Sequence, residues 1–201
     1  MKRLQRVCLV LIQATLTAVA LLLLVRLFVD PQYNKIGGVL AALTMPFLTN
    51  LVQRIFKVKI TFRLQLTYFI FLFFSLFLGI CFDFYKSVPH FDKVIHLASG
   101  ALSVILGWYA LKLFKVDQAD KAFQAIFIIC FCVAIAVAWE FFEFTCDKLF
   151  GQNMQELIMH GVDDTMFDLL AATVGACIGT MIMMRFTKPI EKFSIANTKT
   201  K

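Results

Sequence analysis

The chain has 201 residues, of which 60% are hydrophobic and 16% charged, with 23 phenylalanines, a mean hydropathy of +0.80 and a formal net charge of +7. Soluble domains run at about 45–50% apolar and about 25% charged residues, and a soluble fold of this size could not keep a polar exterior over so much apolar surface. These values exclude a soluble globular domain, a disordered tail and a secreted disulfide scaffold, and leave an all-α polytopic membrane protein.

Six stretches approach or exceed the roughly 20 residues that a helix needs to cross a hydrocarbon core: residues 7–28, 36–52, 64–82, 94–114, 122–145 and 166–186. They make residues 1–201 a single transmembrane domain of six transmembrane helices. The first follows Lys2, Arg3 and Arg6, as a signal peptide would. Its apolar run exceeds the usual signal core and no small-residue cleavage site precedes Arg26, so it reads as a retained helix. The second is the shortest and carries Pro46 and Asn50. The third is rich in phenylalanine from Phe69 to Phe82 and reads as lipid-facing or packing surface. Tyr85, Trp108, Tyr109 and Trp139 fall near span ends, where an interfacial aromatic belt is expected. No phosphate loop or dinucleotide fingerprint occurs, and Ser75 and Ser87 have no triad partners.

Loop charge sets the orientation. With the N- and C-termini in the cytoplasm, only Arg26, Lys35, Lys86, Lys93 and Lys148 of the 20 lysines and arginines fall on the outer side. That is a strong positive-inside pattern for an even number of spans. The basic balance therefore reflects topology, with the lipid bilayer and its anionic headgroups as neighbours and no nucleic acid required. The acids divide the other way: among the 13, only Asp117, Asp120 and Glu191 are inside. Acids contribute little to orientation, so their gathering on the outer side points to a functional cause.

The fourth span opens Pro89-His90-Phe91-Asp92-Lys93-Val94-Ile95-His96, which puts Asp92 and His96 four apart on one helical face, with Gly100 a turn deeper. The fifth closes Trp139-Glu140-Phe141-Phe142-Glu143 and continues to Asp147, so the three acids share a face. The sixth carries Asp164 and Asp168 four apart, preceded by His160 and Asp163. At 1.5 Å rise per residue, His96, Glu140 and Asp168 each lie about one turn inside the membrane boundary. Ionisable side chains at that depth should turn inward and meet one another, water or a cation. His96, Glu140, Glu143 and Asp168 are the candidate catalytic residues, and Asp92, His96, Glu140, Asp164 and Asp168 the candidate ligands for a divalent metal ion or a substrate. Asp92, Asp147 and Asp163 also suit ordinary helix ends, and His90 and His160 suit loops.

Six cysteines, Cys8, Cys81, Cys130, Cys132, Cys146 and Cys177, contain no CxxC pair. Cys130 and Cys132, two apart, face different sides of a helix and cannot jointly ligate a metal. The cysteines read as small buried hydrophobes. Only Cys81 and Cys146 fall near one membrane surface, and no disulfide is expected there.

Three motifs in order, Asp-Lys-x-x-His-x-x-x-Gly at Asp92–Gly100, Trp-Glu-x-x-Glu-Phe at Trp139–Phe144, and Asp-Thr-x-x-Asp at Asp164–Asp168 followed by Gly175-Ala176, resemble the YjdF-like family of uncharacterised bacterial inner-membrane proteins. The resemblance covers about Tyr85 to Gly179; the first three spans match only in hydrophobicity. More distantly, the Asp-Lys-Val-Ile-His opening resembles the VanZ-like membrane proteins, with Ala172 standing where that pattern commonly has Asn. The resemblance implies a multi-pass protein of the bacterial cytoplasmic membrane and no particular activity.

Three functional readings compete. The acidic and histidine groups bind a divalent cation, or act as an acid/base pair, in an enzyme for an envelope or lipid-linked, headgroup-bearing substrate. Alternatively they carry protons in a small ion-coupled transporter, or form the polar core of a membrane assembly factor. So many like charges are poor structural glue unless something neutralises them. The apolar stretches 127–137 and 171–184 disfavour a polar path across the bilayer.

Overall fold

The computed structural model describes residues 3–29, 35–81, 83–151, 153–155, 162–186 and 196–197. Tyr33, Gln152, His160 and the tail lysines Lys188, Lys192, Lys199 and Lys201 lie outside the described residues. Six helices are long and apolar enough to cross a membrane: Arg3–Val29, Ile36–Ile55, Phe62–Ile80, Phe91–Leu113, Lys121–Phe150 and Asp163–Arg185. The chain is an all-helical, multi-pass membrane protein. It divides into two compact units, Met1–Ser87 with Glu191–Lys201, and Val88–Ile190.

The first unit contains α1 (Arg3–Val29), α2 (Ile36–Thr44), α3 (Leu48–Ile55), α4 (Phe62–Leu72) and the short α5 (Phe84–Ser87). Pro46 has no N–H to donate, and the second span is broken there by a 3-10 turn, Met45–Phe47, between α2 and α3. The Tyr68 hydroxyl donates to the Met45 carbonyl at 2.8 Å. Asn50, also on this weak span, donates to Gln13 Oε1 of α1 at 3.2 Å, a polar link between two spans. The third span begins at the Thr61 cap, whose hydroxyl accepts from the Leu64 N–H. After α4 it continues as a π-helix over Phe73–Cys81. The Tyr85 ring lies on the bare α-carbon of Gly79, and its hydroxyl donates to the Ser75 carbonyl at 2.8 Å. Phe73 and Phe74 face outward while Phe69 and Phe77 are buried, so the phenylalanine-rich span serves both lipid and packing. A two-residue ladder, β1 (Val58–Lys59) with β2 (Ala196–Asn197), is the strand pairing among the described residues.

The second unit is a bundle of α6 (Phe91–Leu113), α7 (Lys121–Phe150) and α8 (Asp163–Arg185), the fourth to sixth spans. Each starts or ends beyond the apolar run expected from sequence. The α6 helix begins at Phe91, α8 begins at Asp163, and α7 continues past Thr145 to Phe150. Backbone hydrogen bonding does not stop where side chains become charged, so Asp92, Asp147 and Asp164 all sit on regular helix. Gly151 ends α7 in the left-handed conformation, with φ 63°, that glycine adopts without a Cβ penalty.

Glycines set the bundle. A Cβ at Gly100 would strike the carbonyl of Ala172, and one at Gly175 the carbonyl of Leu97. The backbones of α6 and α8 therefore touch, as small-residue faces allow in membrane helices. The pairs Gly100 with Ala172 and Val104 with Gly179 rise together along both chains, so α6 and α8 run parallel. Gly107 of α6 meets Ile128 near the opposite end of α7, which runs antiparallel. Below the polar ends, Val104, Trp108, Leu111, Ile128, Cys132, Ala176 and Met183 form a buried apolar core. Cys132 is buried, but Cys130 is exposed on the outer face of α7, which corrects the expectation of uniformly buried thiols. Two-residue spacing turns one of the pair to the core and the other to the apolar exterior. Cys146 is a free thiol.

Candidate functional site

Parallel packing of α6 on α8 brings the two four-residue steps, Asp92–His96 and Asp164–Asp168, side by side at the helix N-termini. The antiparallel α7 adds Glu140 and Glu143 from its C-terminal end. All belong to the second unit.

At the centre is Lys93, which sequence reasoning left out of the site. Its ammonium donates to Asp164 Oδ1 at 2.5 Å, to Asp168 Oδ1 at 2.7 Å and to Asp92 Oδ2 at 3.1 Å. One cation thus joins three carboxylates from two helices. A signal was present in the sequence: Lys93 lies between Asp92 and His96 in the first motif, among the few basic residues on the acid-rich side.

His96 Nε2 lies 3.6 Å from Asp92 Oδ1 and 3.8 Å from Asp168 Oδ1. The i,i+4 contact is the one its spacing predicts. Asp92, His96 and Asp168 each offer a ligand atom within 4.8 Å of the others. Two carboxylate oxygens and an imidazole are a standard donor set for a divalent cation, so the residues fit such an ion. Asp168 is 1% exposed, His96 5% and Asp164 7%, whereas the Lys93 side chain is 27% exposed. His96 and Asp168 are enclosed within the bundle, and Lys93 and the 30% exposed Asp92 reach them from its rim.

Glu140 is 4% exposed, and neither carboxylate oxygen has a hydrogen-bond partner. Thr165 is near enough to interact without meeting hydrogen-bond geometry, and the carboxylate also feels the charges of Asp92, Lys93 and Asp164. A buried carboxylate without partners costs several kcal/mol by general estimates and is retained where something compensates it. Glu143 is buried too, but it accepts from its own helix, from Trp139 Nε1 at 2.8 Å. Trp139, expected from sequence in an interfacial belt, thus has a specific partner on its own helix.

The remaining candidates separate from the cluster. Asp147 accepts from the Met154 and Gln155 N–H groups at 2.7 and 3.1 Å and anchors the segment after α7. Gln155 in turn donates to the Thr165 hydroxyl at 3.1 Å, tying that segment to α8. Asp163 is exposed, and His90 is an exposed residue preceding α6 with φ 60°. Asp164, by contrast, is buried and held by Lys93 inside the cluster.

No curated protein and no solved structure matches the chain. The family model described as predicted membrane protein (DUF2238) matches residues 12–189, and the chain belongs to that family, in agreement with the YjdF-like resemblance of its second half.

Proposed function

We propose that this protein is a multi-pass protein of the bacterial cytoplasmic membrane, termini inside, whose cluster at the outer ends of α6, α7 and α8 binds a divalent cation and acts on an envelope substrate carrying a lipid or headgroup. Asp92, His96 and Asp168 are the proposed cation ligands, with Asp164 beside them. A bound cation would supply Lewis-acid polarisation of a substrate oxygen. Glu140 is the proposed proton acceptor, because both its oxygens are free to take a proton from water or a substrate hydroxyl. Glu143, already bonded to Trp139, steadies the same face of α7.

The observation that carries this reading is the unpartnered, buried Glu140 carboxylate beside a lysine already shared by three aspartates. Three carboxylates bonded to one ammonium, with Glu140 in electrostatic range of it, are over-supplied for a structural bridge, and burying charge for stability alone is inefficient. The apolar core across the other end of the same helices favours a one-sided site over a conducting path.

The test is metal analysis of the detergent-purified protein combined with Glu140→Gln, which removes one charge at nearly constant volume. The wild type should retain a divalent cation. The variant should insert and remain monodisperse while losing bound cation or the cellular function of the protein. A metal-free wild type together with a fully functional Glu140→Gln protein would overturn the reading.

A further inference from the structure

The ammonium of Lys93 and a divalent cation need the same oxygens. Asp92 and Asp168 supply two of the three candidate ligand positions, and Lys93 Nζ lies 3.1 and 2.7 Å from their carboxylates. A monovalent and a divalent cation sharing those oxygens would repel strongly in a poorly hydrated setting. We propose that Lys93 is a tethered competitor: it fills the cation position when the site is empty and must swing away for a divalent ion to bind. This rests on the reading of Asp92, His96 and Asp168 as cation ligands.

Three features support the exchange. Removing Lys93 from its contacts leaves Asp92, Asp164 and Asp168 without their ammonium, a net demand for positive charge that a divalent ion meets better than a lysine does. The lysine is also the mobile partner by chemistry and position, since a flexible four-carbon stem with a strongly hydrated head can move to water, and its side chain is 27% exposed. Two of the three ligands cannot follow, because His96 and Asp168 are buried on helices whose backbones touch at Gly100 and Gly175. Finally, the Glu140 carboxylate is buried, unpartnered and within electrostatic range of Lys93, so negative charge remains after the lysine has made all its bonds. The consequence is a site whose cation affinity is set by a residue that is not a ligand. Lys93 would hold the carboxylates together in the absence of metal and keep adventitious monovalent cations out.

The test uses the full-length protein in detergent with Mn²⁺ as the probe, bound ion being measured by electron paramagnetic resonance. Lys93→Gln should bind Mn²⁺ roughly tenfold more tightly than wild type or better, the effect of removing about one unit of repelling charge. Lys93→Arg, which keeps the charge, should not gain affinity. In the wild type, labelling by an amine-reactive acetylating reagent, read at Lys93 by mass spectrometry, should rise when Mn²⁺ is added. If wild type and Lys93→Gln bind Mn²⁺ equally and His96→Gln abolishes binding in both, the cation site stands and the competition is overturned. Failure of both proteins to bind Mn²⁺ removes the cation reading and this inference with it. If Lys93→Gln unfolds without metal, its recovery at Mn²⁺ concentrations that leave the wild-type melting temperature unmoved supports the exchange. No recovery, together with unchanged Lys93 labelling in the wild type, overturns it.

Discussion

The α-carbon of Gly100 lies against the carbonyl of Ala172, one helical turn below the point where His96 faces Asp168 at 3.8 Å. The polar contact and the glycine contact are successive rungs of one parallel helix pair. Close approach of the backbones is what allows short aspartate side chains on α8 to reach Lys93 and His96 on α6. A longer interaxial distance would leave the carboxylates on one helix and their partners on the other.

The Gly100→Ala and Gly175→Ala variants should therefore lose stability by about 2 kcal/mol or more each, since the added methyl meets backbone that no rotamer change can move. Gly107→Ala is the control. Its Cβ would lie 3.2–3.4 Å from atoms of Ile128, a contact that small shifts can relieve. Thermal unfolding in detergent should rank Gly107→Ala clearly above the other two. Equal losses at all three positions would show that the glycines do not set the α6–α8 distance.

Trp139 and Glu143 should be energetically coupled. Trp139→Phe removes the indole donor to a buried carboxylate and should cost about 1–3 kcal/mol. In a Glu143→Gln background the same substitution should cost less, because no charge is left without a partner. A double-mutant cycle by thermal unfolding measures the difference, expected at about 1 kcal/mol. Strict additivity would mean that the indole is there only for the membrane interface.

Asp147 fastens the segment after α7 through two backbone N–H groups. Asp147→Ala should leave the α6–α8 core intact while freeing the amides of Met154 and Gln155. Hydrogen exchange at those two residues should speed up markedly with little change at Ile128 or Ala176. Unchanged exchange at Met154 and Gln155 would count against the anchor.

The charge distribution predicts the topology. Reporter fusions after Lys59 and Lys121 should report the cytoplasm, and fusions near Tyr33, Lys86 and Gln152 the outer side. A cytoplasmic signal near Gln152 would invert the fifth span and move the site to the inner face.

The membrane class and all six spans were legible in the sequence, because a bilayer demands long apolar helices and composition alone reveals them. The i,i+4 pairing of Asp92 with His96 was legible too, since helical geometry is local. Pro46 marked the weak point of the second span, though not the Tyr68 hydroxyl that meets the Met45 carbonyl there. What sequence could not decide was who answers the acids. Asp92 and Lys93 are neighbours in the chain, yet Asp164 and Asp168 reach that lysine only because α8 lies parallel to α6 with backbone touching backbone at Gly100 and Gly175. The same packing leaves Glu140 on α7 enclosed without a partner, although Glu143 one turn away has Trp139. Hydropathy and periodicity report which face of each helix avoids lipid. They carry no information on the register between helices, and over the few ångströms that separate a bonded carboxylate from an orphaned one, register decides which charges are paired.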